Sequence, residues 1–385
     1  MTVDPSPITV LIAPDSFKGS LTSVEVARAL AAGWTRARPR DQVLLAPLAD
    51  GGEGTTVAVE AAGGWVWRVD DATDPIGRAI PARWLESSDG TRAIVELAAA
   101  SGLSRLATTE FDPIGATTRG TGELLLAALD AGVRDITLGI GGSATNDGGA
   151  GILRALGALI SDAADDPVAV DLTGLDPRLA DTRLRIACDV SNPLLGARGA
   201  AATYGPQKGA TPEDVAELDR RLDRYADALE AAAGRRERDT PGAGAAGGTG
   251  FGLLCLRDRL ASLELVPGID VVMAAADFDG KLARAGLVIT GEGRIDAQTA
   301  FGKTALGVAR RAAEAGVACI AVGGGVEAAG IEALRPLGAV AVPVVERPQS
   351  VEDAMAAGAE PLERCGERLA RLIDLGRAVG ASSGS

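Results

Sequence analysis

The sequence predicts an α/β protein built on a doubly wound parallel sheet, and three observations carry that expectation. Strand-length apolar runs alternate with helical periodicities near both ends of the chain, the middle changes to a different pattern, and glycine-rich polar loops follow several of the strands. At 385 residues the chain exceeds the roughly 250–300 residues at which one hydrophobic core stops growing, so two domains are expected.

Residues 8–14 (ITVLIAP) read as a buried strand. Thr22 and Glu25 have the spacing of a capping box and open a helix that stops before Pro39. Residues 42–48 (QVLLAPL) form a second strand, followed by the loop ADGGEGT and a helix to about Ala62. The same grammar returns downstream. GLVIT (286–290) is a strand leading through a polar loop to a helix over about 303–315, VACIAVGGG and AVAVPVV are two more strands, and a last helix covers about 350–376. Strands alternating with helices imply parallel pairing.

The middle differs. Residues 65–103 hold alternating strands such as AIPARWLE and RAIVELA, as in a mixed sheet, and residues 133–138 are an apolar strand. Thr211, Pro212 and Asp214 open an amphipathic helix with Val215, Leu218, Leu222, Tyr225 and Leu229 on one stripe. Residues 235–250 (RRERDTPGAGAAGGTG) are expected to be a flexible loop or a mobile lid. Residues 1–63 and 282–385 are therefore expected to form one flavodoxin- or Rossmann-like domain, interrupted by a second α/β domain with a mixed sheet at 64–281. The active-site cleft is expected between them, beyond the carboxyl ends of the strands.

Composition excludes several function classes. A formal net charge of −14 argues against nucleic acid and anionic membrane as partners. The absence of histidine removes the commonest general base and metal ligand, leaving carboxylates, lysine, arginine, hydroxyls, backbone amides and hard cations. The four cysteines are scattered without metal spacing, as in a reduced cytoplasmic protein, and neither a signal peptide nor a membrane span is expected.

The chemistry concentrates in loops. Residues 139–151 (GIGGSATNDGGAG) place glycines beside Asn146 and Asp147, a pattern suited to a polyanionic small molecule. DSFKGS supplies Asp15, Ser16 and Lys18, and DGGEGT supplies the repelling pair Asp50 and Glu53, types that Mg²⁺ takes together with phosphate oxygens. GEGRIDAQTAFGKT adds Gly291, Glu292, Arg294, Asp296 and Lys303; its end only approximates a Walker A loop and starts too far from the strand, so Lys303 is expected to open a helix. CDVSNPLLG offers Asp189 and Asn192, and ATYGPQKGA offers Tyr204, Gln207 and Lys208. Each loop alone also reads as an ordinary turn. Together they fit phosphoryl transfer, where positioning and charge neutralisation do most of the catalysis.

IAPDSFKGSLTSVEVARAL, PLADGGEGT, IGGSATNDGGAGILRALG, CDVSNPLLG, YGPQKGA, GAGAAGGTGFGL and VITGEGRIDAQTAFGKT occur in this order from about residue 8 to 345. The set resembles the bacterial glycerate kinase type 1 family. The resemblance implies phosphorylation of D-glycerate by ATP with Mg²⁺, usually on the 2-hydroxyl. It further implies Lys18, with Asp15, Ser16, Asn192 and Arg294, on the glycerate. Gly141, Gly142, Ser143, Asp147, Gly291 and Lys303 would lie on ATP, and Asp50, Glu53 and Glu292 on the metal. Asp189 is the candidate base, with Lys18 and Asn146 completing the catalytic set. A 3-hydroxyl kinase and a non-catalytic regulator are the alternatives, and the expected state is monomer or homodimer.

Overall fold

The computed structural model describes residues 6–49, 55–161, 168–297, 299 and 304–382. The described residues form thirteen strands: β1 (Thr9–Pro14), β2 (Gln42–Leu45), β3 (Trp65–Thr73), β4 (Ala79–Ser87), β5 (Arg92–Glu96), β6 (Asp135–Gly139), β7 (Leu159–Ile160), β8 (Val170–Asp171), β9 (Arg183–Ala187), β10 (Ser262–Val266), β11 (Leu287–Ile295), β12 (Ala318–Val326) and β13 (Val340–Pro343). They divide into two compact units. One comprises Met1–Asp50, Val57–Gly63 and Val272–Ser385, the other Gly51–Thr56 and Gly64–Val271.

The first unit holds a five-stranded sheet in the order β13-β12-β11-β1-β2, parallel throughout. Counted within the unit this is the flavodoxin-like order 2-1-3-4-5, so its topological switch point lies between β1 and β11. Strand β1 is apolar and buried from Val10 onward because helices cover both faces of such a sheet. The helix Ser23–Ala37 begins with the expected capping box, the Thr22 hydroxyl accepting from Glu25 N and the Glu25 carboxylate from Thr22 N. Its buried stripe, including Val26, Leu30 and Trp34, shares a core with Leu362, Cys365 and Leu369 of the helix Glu360–Ser382.

Two elements differ from expectation. Strand β11 does not stop at Thr290 but continues to Ile295, paired with the glycine-rich end of β12 through Glu292↔Gly323 and Arg294↔Gly325. The last helix is two, Val351–Ala356 and Glu360–Ser382, separated at Gly358, whose φ of +62° an α-helix does not accommodate.

The second unit holds a mixed six-stranded sheet, β10-β9-β6-β5-β4-β3, antiparallel from β3 to β5 and parallel beyond. The helix Pro212–Ala233 buries Leu218, Leu222, Tyr225 and Leu229 as its stripe requires, and Thr211 caps it through Asp214. Thr211→Ala removes one acceptor for an orphan helix N–H and lowers stability by about 1 kcal/mol, measurable as a shift in the urea midpoint at constant slope.

Residues 235–250 are not a flexible loop. Arg238 is tied to Glu230, Asp227 and Asp223, the backbone turns through left-handed conformations at Ala246, Gly247 and Gly248, and the helical segment that follows places Phe251, Leu253 and Leu254 in the core. The glycines serve close backbone approach. At Gly247, φ is +66° and a Cβ would lie 1.9 Å from the carbonyl oxygen of Thr145. Gly148 N donates to the Gly247 carbonyl at 3.0 Å, locking this segment onto the loop after β6.

Candidate active site

In the first unit the candidate residues gather at the switch point. Pro14 pairs with Gly291, and Asp15 N donates to the Gly291 carbonyl at 2.8 Å. The next residues along the two strands are thus the carboxylates Asp15 and Glu292, both buried. Asp15 accepts from Ser16 N and from the Thr304 hydroxyl, each at 2.6 Å. Glu292 accepts from the Thr299 hydroxyl at 2.6 Å, and Thr299 in turn accepts from Asp296 N at 3.1 Å. Thr299 and Thr304 therefore orient the two acids. Sequence reading passed over both hydroxyls, because a lone threonine after a polar loop carries no signal.

Around this pair, Ser16 is half-buried and Lys18 exposed on the turn that follows β1. Gly293 passes 3.6 Å from Lys18 N, measured from the position its Cβ would take. Arg294 points its guanidinium to Glu327 and Asp296. Among the described residues no group of three or more His, Cys, Asp or Glu gathers as a metal centre. Asp50, Glu53 and Lys303 lie outside the described residues.

In the second unit the loop after β6 is a folded core element. Gly142 has φ +71°, and Ser143 forms a bridge with Gly102; Gly141, next to them, is half-buried. The Asp147 carboxylate accepts from Thr118 N and its hydroxyl (2.9 Å each), Gly151 N (3.0 Å) and Gly149 N (3.1 Å). Its charge is thus spent on joining this loop to the start of the helix Arg119–Asp130. Asn146 donates from Nδ2 to the Pro113 carbonyl at 3.1 Å, while its Oδ1 and the Thr145 hydroxyl are buried without a partner among the described residues.

Lys208, whose segment read as an ordinary turn, is almost fully buried and donates to Ser143 Oγ (2.8 Å) and the Thr145 carbonyl (2.6 Å). Burial pushes its ammonium down to about 7, the Asp147 charge acting in the opposite direction. Asp189, exposed beyond β9, accepts from Gly268 N at 3.0 Å. The Asn192 amide holds its own loop together, donating to the Arg198 carbonyl and Thr203 and accepting from the Tyr204 hydroxyl. All four cysteines are free thiols; burial raises Cys319 to about 12 and raises Cys188, Cys255 and Cys365, which leaves them poor nucleophiles.

These features define an α/β enzyme whose polar loops carry oriented carboxylates, amides and lysine in place of histidine. The chain belongs to the glycerate kinase family: the model for the "Glycerate kinase family" matches residues 10–374. A glycerate kinase of Halalkalibacterium halodurans is 42% identical, the alignment covering 94% of this chain and 97% of the relative. The glycerate 2-kinase of Escherichia coli K12 is 45% identical over 78% of this chain and 81% of its own length. A crystal structure from Salmonella typhimurium LT2, assigned as a glycerate kinase 2, superposes with a TM-score of 0.84 at 40% identity, covering 97% of this chain and 100% of that one. No helix among the described residues is long and apolar enough to cross a membrane.

Proposed function

We infer that this protein is an ATP-dependent kinase that phosphorylates D-glycerate on its 2-hydroxyl, in the cytoplasm, as a monomer or homodimer. Family membership over nearly the whole chain carries the reading, and the E. coli relative named glycerate 2-kinase supports the regiochemistry. The residues fit Mg²⁺ as well as ATP. Two buried carboxylates on neighbouring strands are hard oxygen donors, the kind Mg²⁺ takes beside phosphate. Glu292 would hold the metal with Asp50 and Glu53, and Asp15 stands next to it. When bound, Mg·ATP supplies the phosphoryl group and neutralises its oxygens.

Lys18, exposed on the turn after β1, is proposed as a cationic contact for the anionic substrates. As the hydroxyl oxygen bonds to phosphorus and the bridging bond to ADP breaks, Asp189 takes the hydroxyl proton. General base removal is typically worth 10²–10⁴-fold, so Asp189→Asn lowers kcat by about that factor. An Asn retains an acceptor for Gly268 N, so the melting temperature holds; near-normal turnover in this variant excludes Asp189 as the base.

A coupled ADP-release assay with D-glycerate tests the activity, and phosphorus NMR of the product separates 2- from 3-phosphoglycerate. Binding of both ligands without ADP release would identify a regulator instead.

A further inference from the structure

The Lys208 ammonium is deep in the second unit, yet among the described residues no carboxylate forms an ion pair with it. A buried unpaired cation is costly, and so is each unpaired buried polar atom, at about 1–3 kcal/mol. The turn that Lys208 holds contains two such atoms on adjacent residues, Thr145 Oγ1 and Asn146 Oδ1. Asn146 Nδ2 is already bound to Pro113, so the free atom is an acceptor and calls for a hydroxyl or amine donor. The Thr145 hydroxyl is free to donate, and the adjacent ammonium biases that donation toward an anion. One small ligand satisfies all three demands: a hydroxy acid, whose hydroxyl donates to Asn146 and whose carboxylate accepts from Thr145 under the Lys208 charge.

We propose that the turn 143–146 is the seat of the hydroxy acid, with Lys208 as a positioning residue that acts through Ser143 and Thr145. The proposal rests on the kinase reading above. It turns the loop after β6 from a nucleotide cradle into the place where the acceptor substrate is recognised. The loop's own glycines fit this, since at Gly148 and Gly149 they pack against the segment 247–252.

Steady-state kinetics of Thr145→Val and Lys208→Met test it. Thr145→Val is nearly isosteric and removes an unpartnered hydroxyl, so its melting temperature stays at or above that of the wild type. Its KM for D-glycerate rises at least about 10-fold, the loss expected for a hydrogen bond to a charged group, while KM for ATP stays within about twofold. Lys208→Met shows the same split with reduced kcat. In Lys208→Ala, n-butylammonium restores turnover and n-butanol, which fills the same space without charge, does not.

A Thr145→Val enzyme with wild-type KM for D-glycerate overturns the site, as does a rise confined to KM for ATP. Equal rescue by the alcohol overturns the role of the Lys208 charge. If Lys208→Met fails to fold, Thr145→Val alone decides. A wild-type enzyme that releases no ADP with D-glycerate would instead overturn the kinase reading, so the two failures are distinct.

Discussion

Glu292→Gln yields a folded protein whose turnover with ATP and D-glycerate falls by about 10³-fold, the loss seen when one preorganised charge-stabilising group is removed. The substitution keeps the shape of the side chain and keeps an oxygen able to accept from the Thr299 hydroxyl. What disappears is a negative charge buried within β11, one residue beyond Gly291, which pairs with Pro14 at the end of β1. Burying two carboxylates together is unfavourable unless a cation or donors compensate, so removing one charge leaves stability equal or higher. The ADP-release assay with a Mg²⁺ titration, alongside a thermal melt, checks both halves. A melting temperature well below wild type with proportionate loss of activity would make Glu292 a structural acid. Undiminished turnover would remove it from the metal set.

Gly247→Ala costs the second unit about 3 kcal/mol or more. A left-handed conformation costs an L-residue about 1–2 kcal/mol, and an overpacked contact adds about 1–3 kcal/mol. Here both apply, since φ is +66° and the new methyl would meet Thr145 O at 1.9 Å. The neighbouring Ala246 sits at φ 52° with its Cβ accommodated, so the backbone angle alone is tolerable one residue away. The clash makes the difference. Urea unfolding followed by tryptophan fluorescence measures the loss, with Trp65, Trp67 and Trp84 reporting on the second unit. Because Thr145 belongs to the turn held by Lys208, a shifted loop also lowers affinity for the hydroxy acid. A midpoint within experimental error of wild type would show that the two segments are not locked as described.

Much of this protein is legible in its sequence. The capping boxes at Thr22–Glu25 and Thr211–Asp214 follow from local chemistry, in which a hydroxyl and a carboxylate three residues apart satisfy the first helix donors. The stripe from Leu218 to Leu229 follows from helical period, and the parallel sheet from strand–helix alternation. The candidate acids were visible as acids in glycine-rich loops, which is why Asp15 and Glu292 could be named. That both are buried next to the paired residues Pro14 and Gly291 was not visible, because it depends on which two strands become neighbours at the switch point.

Glycine was the residue type most open to misreading. In sequence it signals flexibility or a cradle for phosphate. At Gly247 it signals that two backbones touch, and nothing local to residues 235–250 distinguishes these meanings. Lys208 was hidden for the same kind of reason. A lysine in YGPQKGA reads as a solvated turn, and only the packing of that turn beneath the loop after β6 buries the ammonium and aims it at Ser143 and Thr145.

By itself the sequence determined the element types, their order, the chemical inventory without histidine and, through its ordered motifs, the family. Tertiary structure alone decided which acids stand together, which loops are core, and where the buried lysine spends its charge. The division has one physical cause. Capping, periodicity and composition act within a few residues of chain, whereas burial, pairing and desolvation depend on neighbours that are distant in sequence.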